Sequence, residues 1–310
     1  MSALDEGCRP RCSADADGAV SGVAAQGRAM AGVDGASSCG GLPEVCVVEA
    51  TGSTNDDARE LARCGALQGT AVAARSQSGG RGRRGHAWAS PEGGLYLSVV
   101  LRPGVGPQHF VGLPAVCALG ALRAVREASG LGSRVGIKWP NDLVIDNRKL
   151  AGLLVEAGAG EGGPFAVLGI GINLVRPDGS SPAAQPTACF DSPRPLAPVY
   201  LSDELPAGEP PAFETLATLV RDRVVEACDA WAVDVRAGRA KAGPLAPILS
   251  EYFDCVPMLG HPAVALSSEG AEICRGSFVA IDVWGRVTIH TATGHDVVLA
   301  AEQASLRPLE

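Results

Sequence analysis

Residues 79–90 read Gly-Gly-Arg-Gly-Arg-Arg-Gly-His-Ala-Trp-Ala-Ser and place three arginines on a glycine-rich backbone, in a chain whose net charge is −8. The flanking stretches 70–74 and 94–101 have the apolar pattern of β-strands. Glycine lets a backbone approach a ligand closely, and arginine binds carboxylates and phosphates through paired donors. We therefore predict a loop between two strands that closes over a small anion. A solvent-exposed basic hairpin is the alternative for this stretch taken alone.

The composition, 310 residues of which 46% are hydrophobic, allows two domains with a proper core. Acidic residues outnumber basic ones by 34 to 26, which argues against a general nucleic-acid-binding protein. No apolar run approaches the roughly 18 residues of a membrane span. The ten cysteines lack metal-ligand spacing, which favours free thiols in a reducing cytosol. We expect a cytoplasmic protein without nucleic-acid or membrane partners.

The chain divides into segments of different composition. Residues 1–43 are rich in Gly, Ala, Ser and Asp and predict a disordered tail, because they cannot bury enough apolar surface. Residues 44–256 carry the longer apolar patterns of a main domain, interrupted at 176–211 by a Pro-, Ser- and Ala-rich loop insertion. Residues 257–310 contain short strand patterns with glycine turn signals, which predict a small β-barrel.

Hydrophobic periodicity predicts an α+β fold in which a mixed sheet of five or six strands carries helices on one side. A cluster of N-cap and acidic residues at 53–57 begins the first helix, which continues to residue 64. Further helices are predicted at 112–129, 213–231 and 244–253.

Two lysine-containing motifs follow the loop of residues 79–90, which we call the arginine loop. Lys138-Trp139-Pro140-Asn141-Asp142 ends a strand and presents a carboxylate that can hold Mg²⁺ beside a nucleotide phosphate; a plain turn is the alternative. Lys149 begins the strand 149–156 in a chain with only three lysines against 23 arginines, which indicates a need for a compact ammonium. A solvated lysine at a strand edge is the alternative for this residue.

Two further stretches contain closely spaced glycines. Gly169-Ile170-Gly171-Ile172-Asn173 lies in an apolar strand, where glycine indicates close approach of a ligand or of another backbone. Gly80, Gly82 and Gly85 match the spacing of a dinucleotide fingerprint, but a β-pattern follows them where that motif requires a helix. The loop also lacks a Gly-Lys-Ser/Thr ending, which excludes a P-loop.

Taken in order, these motifs resemble those of the biotin protein ligases. The resemblance implies an α+β catalytic domain at 44–256, similar to class II aminoacyl-tRNA synthetases and lipoate ligases, followed by an SH3-like barrel. It implies the monofunctional type, because the residues before the core are too few and too polar for a winged helix-turn-helix. His86 departs from the family, which often has another arginine after the last loop glycine. The matching stretches are 53–55, Gln77, 80–85, Trp88, 138–142, 149–156 and 169–173, with 276–308 similar to the terminal domain.

The resemblance implies a role for each matching residue. Lys149 and Arg83 would be catalytic, and Asp142 would hold Mg²⁺. The biotin-binding residues would be Ser53, Thr54, Asn55, Gln77, Gly80, Arg81, Gly82, Arg83, Lys149 and Gly152, and the ATP-binding residues would be Arg83, Arg84, Trp88, Asn141, Asp142 and Asn173.

The activity implied by the resemblance is ATP-dependent biotinylation of a protein. Biotin would react with ATP and Mg²⁺ to give biotinyl-5′-AMP, and would then pass to a lysine of a biotin carboxyl carrier protein or domain of acetyl-CoA or a related acyl-CoA carboxylase. A lipoate-type ligase of the same fold is the nearest alternative, although the arginine pair followed by Ser-Gly-Gly-Gly usual in those proteins is absent. A nucleic-acid-binding protein using residues 81–84 is an alternative of another class, opposed by the acidic composition.

Overall fold

The computed structural model describes residues 41–177, 196–206 and 208–309. Most of the predicted tail, residues 1–40, and the middle of the predicted insertion, residues 178–195, lie outside the described residues. The described chain has an α+β fold, with a large mixed sheet of seven strands and a C-terminal antiparallel sheet of five.

The elements follow in the order β1 (Val45–Thr51), α1 (Thr54–Arg63), β2 (Ala71–Gln77), β3 (Gly94–Leu101), α2 (Leu113–Ser129), β4 (Val135–Lys138), β5 (Asp142–Ile145), β6 (Arg148–Gly160), β7 (Gly163–Asn173), α3 (Leu201–Glu204), α4 (Phe213–Arg236), α5 (Leu249–Asp254), β8 (Pro262–Leu266), β9 (Glu272–Ile281), β10 (Val287–Thr291), β11 (Asp296–Leu299) and β12 (Ser305–Pro308). The strand order of the large sheet is β1-β2-β3-β7-β6-β5-β4, in which β1 and β2 are parallel and the other described pairs are antiparallel. The C-terminal sheet has the order β11-β10-β9-β8-β12.

The large sheet carries helices on both faces. Leu101 of β3 points into a core that contains Leu119 of α2 and Trp231 of α4. Its neighbour Val100 belongs to a separate small cluster with Ala58 of α1, because successive strand residues point to opposite faces. The prediction of helices on one side is therefore wrong for α1. The sheet also has seven strands where five or six were predicted, because the short β4 and β5 both join it.

Helix α2 is the central core helix. The stretch Pro107–Ser129 that contains it is the one described helix long and apolar enough to cross a membrane, and 72% of its apolar window is buried inside the protein. A Cβ on Gly120 would come within 2.7 Å of the Val224 Cα, so glycine allows α2 to lie directly against α4. Burial between the sheet and α4 accounts for the apolar length of this helix.

The C-terminal sheet shares its core with the large sheet. Phe278 and Ile289 are fully buried in the same apolar cluster as α2 and α4, and the Trp139 Nε1–H donates to the Gly285 carbonyl at 2.8 Å. Strand β12 has little local sequence signal, because Leu306 is its one large apolar residue and Pro308 opposes a strand. The predicted domain boundary at 256/257 stays a prediction.

The described cysteines depart from the prediction at one position. Cys117 and Cys228 are buried free thiols, and burial raises the pKa of Cys228 to about 12, so this thiol stays protonated. Cys64, in contrast, is disulfide-bonded, which the composition does not predict.

Candidate active site

A pocket lies on the face of the large sheet that carries α1. The N-terminus of α1, the end of β2 and the arginine loop form one side, and β5, β6 and β7 form its floor and far side. Ser305 and Arg307 of β12 complete the lining from the C-terminal sheet. The pocket therefore combines segments that lie far apart in the sequence.

Thr54, Asn55, Gln77 and Ser90 form a polar wall of the pocket, where α1 begins beside the end of β2. The Thr54 N–H donates to Gln77 Oε1 at 2.9 Å, and the Gln77 Nε2–H donates to the Ser90 hydroxyl at 3.0 Å. The Asn55 Nδ2–H donates to the Glu156 carboxylate at 2.8 Å. Thr54, Asn55 and Ser90 are buried, so these hydrogen bonds fix the side chains in one arrangement.

The floor of the pocket is made of glycines on β6 and β7. A Cβ on Gly152 would lie 2.7 Å from the Trp88 ring, and a Cβ on Gly171 would lie 2.6 Å from its Nε1. The glycines of these strands therefore allow close approach, here by the indole of the loop. The Trp88 Nε1–H is buried and makes no hydrogen bond to the described residues. A planar polar ligand entering beside this ring finds an unused donor.

Three charged groups, of which Lys138 and Asp142 are buried and Lys149 is partly buried, meet at the far side of the pocket. The Lys149 Nζ lies 2.8 Å from Asp142 Oδ1, and the Lys138 Nζ lies 3.4 Å from Oδ2. Burial raises the pKa of the Asp142 carboxyl, but the ammonium groups of Lys149 and Lys138 outweigh that effect and hold the pKa at about 2. Burial lowers the pKa of Lys138 to about 8, and the negative charge of Asp142 opposes this shift. Lys149 also lies 4.9 Å from the centre of the Trp88 ring, a cation–π contact.

The arginine loop contacts both α1 and the C-terminal sheet. Arg81 donates two hydrogen bonds to Asp56 at 2.6 and 2.7 Å, which lower the pKa of that carboxyl. Arg83 donates to Asn141 Oδ1 at 3.2 Å and to the Ala301 carbonyl. Arg84 donates to the same carbonyl at 2.8 Å. The loop thus spans the pocket between the two sheets.

The second described part of the predicted insertion, which begins at residue 196, lies beside Lys149. The Lys149 N–H donates to the Ala197 carbonyl at 2.8 Å, and the Val199 N–H donates to the Lys149 carbonyl at 2.9 Å. Asn173 Nδ2–H donates to the same Lys149 carbonyl at 3.2 Å. Residues 196–204, which we call the strap, therefore fix the backbone of Lys149 from the side opposite β5.

The strap ends on an ion-pair cluster. Glu204, whose side chain is only 10% exposed, accepts hydrogen bonds from Arg134 at 2.6 Å and from Arg148 at 2.8 Å. Arg148 is the first residue of β6 and precedes Lys149 in the chain. Glu204 therefore links α3 to Arg148, the residue next to Lys149.

Residues 47–173 match the family model described as the biotin/lipoate A/B protein ligase family. The chain is 34% identical over 255 residues to the biotin–[acetyl-CoA-carboxylase] ligase of Paracoccus denitrificans, covering 81% of this chain and 96% of that protein. This chain belongs to the biotin protein ligase family. It is also 37% identical over 140 residues to the biotin–[acetyl-CoA-carboxylase] ligase of Mycobacterium tuberculosis, covering 44% of this chain and 51% of that protein. The identity to the bifunctional ligase/repressor BirA of Escherichia coli is 42% over 134 residues, or 42% of this chain and 40% of that protein.

Solved structures of the biotin protein ligase family share the fold. The TM-score to the Aquifex aeolicus biotin protein ligase in complex with biotin and ATP is 0.65, at 22% identity, covering 86% of this chain and all of that one (100%). For the Leishmania major enzyme in complex with biotinyl-5-AMP the TM-score is 0.52, at 21% identity, covering 84% and 99% of the two chains. These likenesses confirm the predicted α+β class, and the C-terminal sheet agrees with the predicted SH3-like domain.

The structure brings most residues predicted from the biotin protein ligase resemblance into one pocket. Gly80 and Asn173 are not among its lining residues. Gly80 lies against the Trp88 carbonyl and the Ser90 hydroxyl, and Asn173 supports the Lys149 backbone from behind. The individual roles stay predictions. The predicted residues that line the pocket are Ser53, Thr54, Asn55, Gln77, Arg81, Gly82, Arg83, Arg84, Trp88, Asn141, Asp142, Lys149 and Gly152, and His86 lines it as well.

Three residues around the pocket were missed as site residues. Ser98 lies beneath the polar wall, and a lone hydroxyl in the apolar strand β3 is the sequence signal that could have found it. Glu156 holds Asn55 from the end of a predicted strand. Arg307 has no comparable signal, because its position depends on how the C-terminal sheet docks.

Proposed function

We propose that this protein activates biotin with ATP and Mg²⁺ to biotinyl-5′-AMP and transfers the biotinyl group to a lysine of a biotin carboxyl carrier protein. The observation that carries the proposal is the position of the partly buried Lys149 ammonium, in one pocket with the polar wall of Thr54 and Gln77 and with the arginine loop. The carrier domain of an acyl-CoA carboxylase as the partner, and the cytoplasm as the place of reaction, belong to the same proposal.

The first step brings two anions together. A biotin carboxylate oxygen bonds to the α-phosphorus of ATP, the bond from that phosphorus to the bridging oxygen breaks, and pyrophosphate leaves. Fixed cations lower the repulsion and stabilise the charge that develops in the transition state. Lys149 is suited to this position because the strap and Asp142 hold its backbone and its ammonium. Arg83 reaches the same pocket from the loop.

The second step transfers the acyl group. The neutral amine of a carrier lysine attacks the biotinyl carbonyl carbon, the bond from that carbon to the phosphate oxygen breaks, and AMP leaves while the amine loses a proton. A mixed anhydride of this kind hydrolyses readily, so a cover that excludes water protects it. The arginine loop is suited to that role because it spans the pocket from Asp56 to Ala301.

Mg²⁺ fits this site as an ion carried by ATP. Among the residues in the described ranges, no group of three or more His, Cys, Asp or Glu side chains converges to form a metal site. Mg²⁺ commonly uses one or two carboxylates together with substrate phosphates and water, and Asp142 supplies one carboxylate. When bound, Mg²⁺ neutralises charge on the phosphates. Asp142 would hold the ion with oxygens that also contact the ammonium groups of Lys149 and Lys138.

The decisive experiment is biotin-dependent exchange of radiolabelled pyrophosphate into ATP. We expect exchange with biotin, little with lipoate or octanoate, and transfer of biotin to an isolated carrier domain. Exchange with lipoate and none with biotin would instead identify a lipoate-type ligase.

The strap gives a first prediction within this function. Glu204→Ala should lower adenylate formation about tenfold and the free energy of unfolding by about 1 kcal/mol, because the ion pairs of a largely buried carboxylate with two arginines are lost and Lys149 loses its support. Asp203→Ala is the matched control, since Asp203 is an exposed residue of the same helix and pairs with Arg176. Pyrophosphate exchange and urea denaturation measure both effects. Equal losses in the two variants would show that Glu204 has no special role.

A further inference from the structure

Ser98 of β3 is a buried hydroxyl that the proposed chemistry does not use. Its side chain is completely buried (0% exposed) beneath the polar wall. The Ser98 Oγ lies 2.6 Å from Asn55 Oδ1 and 2.8 Å from Thr54 Oγ1. Gly169, opposite Ser98 on β7, makes these contacts possible, because a Cβ there would come within 2.0 Å of Asn55 Oδ1.

The directions of these hydrogen bonds follow from counting hydrogens. The Glu156 carboxylate only accepts, so the Asn55 Nδ2–H must face it and Oδ1 must face Ser98. A hydroxyl carries one hydrogen, and the contact with Oδ1 uses the hydrogen of Ser98. The Thr54 hydroxyl donates its hydrogen to Gln77 Oε1 at 3.0 Å, and its oxygen contacts Ser98 Oγ at 2.8 Å, so both contacts lie inside the protein.

This arrangement determines whether the polar wall presents hydrogen-bond donors or acceptors to a ligand. The Thr54 hydroxyl has its hydrogen committed inward and keeps only lone pairs for a ligand. Asn55 Oδ1 has one lone pair committed to Ser98 and one left. Both oxygens therefore act as acceptors, and they match a ring that carries two N–H donors, such as a cyclic urea.

We propose that Ser98 is a specificity-determining positioning residue that sets the wall as a pair of acceptors by binding Thr54 and Asn55 from below. Ser98 itself does not touch the ligand. The proposal rests on the proposed function only in its choice of biotin as the cyclic urea. It predicts that the effect of Ser98 on binding passes through Thr54 and Asn55.

The test measures the Kd of biotin alone by calorimetry, without ATP or turnover. Ser98→Ala should raise the Kd about tenfold or more, because a buried acceptor loses its donor. Ser98→Cys, which keeps a weak donor of similar size, should lie between this variant and the wild type. Ser76→Ala, on the partly exposed part of β2, is the matched control and should bind biotin like the wild type.

A double-mutant cycle separates positioning from general loosening of the structure. In a chain that already carries Thr54→Ala and Asn55→Ala, adding Ser98→Ala should change the Kd less than about threefold, because the residues through which it acts are gone. An undiminished, additive effect in that background overturns the proposal. If the wild-type protein does not bind biotin, the proposed function itself is contradicted. Failure of the Ser98 proposal alone therefore gives a different result from failure of the proposed function.

Discussion

Lys149→Ala is expected to lower the rate of adenylate formation by a factor on the order of 10² or more, as the loss of a preorganised charge donor does. The reason is the fixed position of the ammonium, which lies 2.8 Å from Asp142 in the pocket, on a backbone held by both β5 and the strap. Single-turnover formation of biotinyl-5′-AMP measures the effect directly.

The chain offers a matched control for this substitution. Lys241 is exposed and does not line the pocket, so Lys241→Ala removes the same side chain with no expected change in rate. Transfer from preformed biotinyl-5′-AMP to the carrier should be much less affected in Lys149→Ala than adenylate formation is, because the anionic junction no longer has to be made. Near-normal single-turnover adenylation would contradict the role given to Lys149.

Asp142→Asn should reduce both stability and activity. The carboxylate lies between two ammonium groups, and Lys138 is almost completely buried. Removing one partner of a buried ion pair leaves charge uncompensated, which typically costs about 3 kcal/mol or more of unfolding free energy. Urea denaturation measures this loss, and pyrophosphate exchange should fall at least about 10²-fold because the carboxylate proposed to hold Mg²⁺ is lost.

The pH dependence of this loss follows from Lys138. In the wild type, burial lowers its pKa to about 8 from 10.5, and loss of Asp142 removes the group that opposes this effect. The folded variant then lacks a proton that the unfolded chain still binds, so its stability rises with pH up to the unfolded pKa. The stability deficit against the wild type should therefore be smaller at about pH 9 than at about pH 6.

A second substitution separates the charge balance that Asp142 provides from the role proposed for it in the reaction. Asp142→Asn combined with Lys138→Met replaces the buried ammonium by an uncharged chain of similar length, and should recover most of the stability. Activity should stay low, because the carboxylate is still missing. Recovery of pyrophosphate exchange together with stability would show that Asp142 only balances charge.

Local sequence patterns determined most elements of this protein. The apolar strand β3, the glycines of β7 and the arginine loop each depend on residues close together in the chain, so periodicity and turn chemistry identify them. The order of the motifs also indicated the family. Lys149 could be selected because lysine is so rare in this composition.

Only the tertiary structure determined which residues from distant parts of the sequence are in contact. That α1 packs on the face opposite α2 depends on the small residues Ala58 and Ala62, which pack with Val100 on that face of the sheet. The contacts of Ser98 with Thr54 and Asn55 join residues more than 40 positions apart, and those of Arg83 with Ala301 join residues 218 apart. Periodicity indicates which face of its own helix or strand a side chain occupies, whereas its contact partner on another element depends on how the sheets and helices pack. The sequence by itself therefore determined the elements and motifs, and tertiary packing determined the hydrogen-bond network of the site.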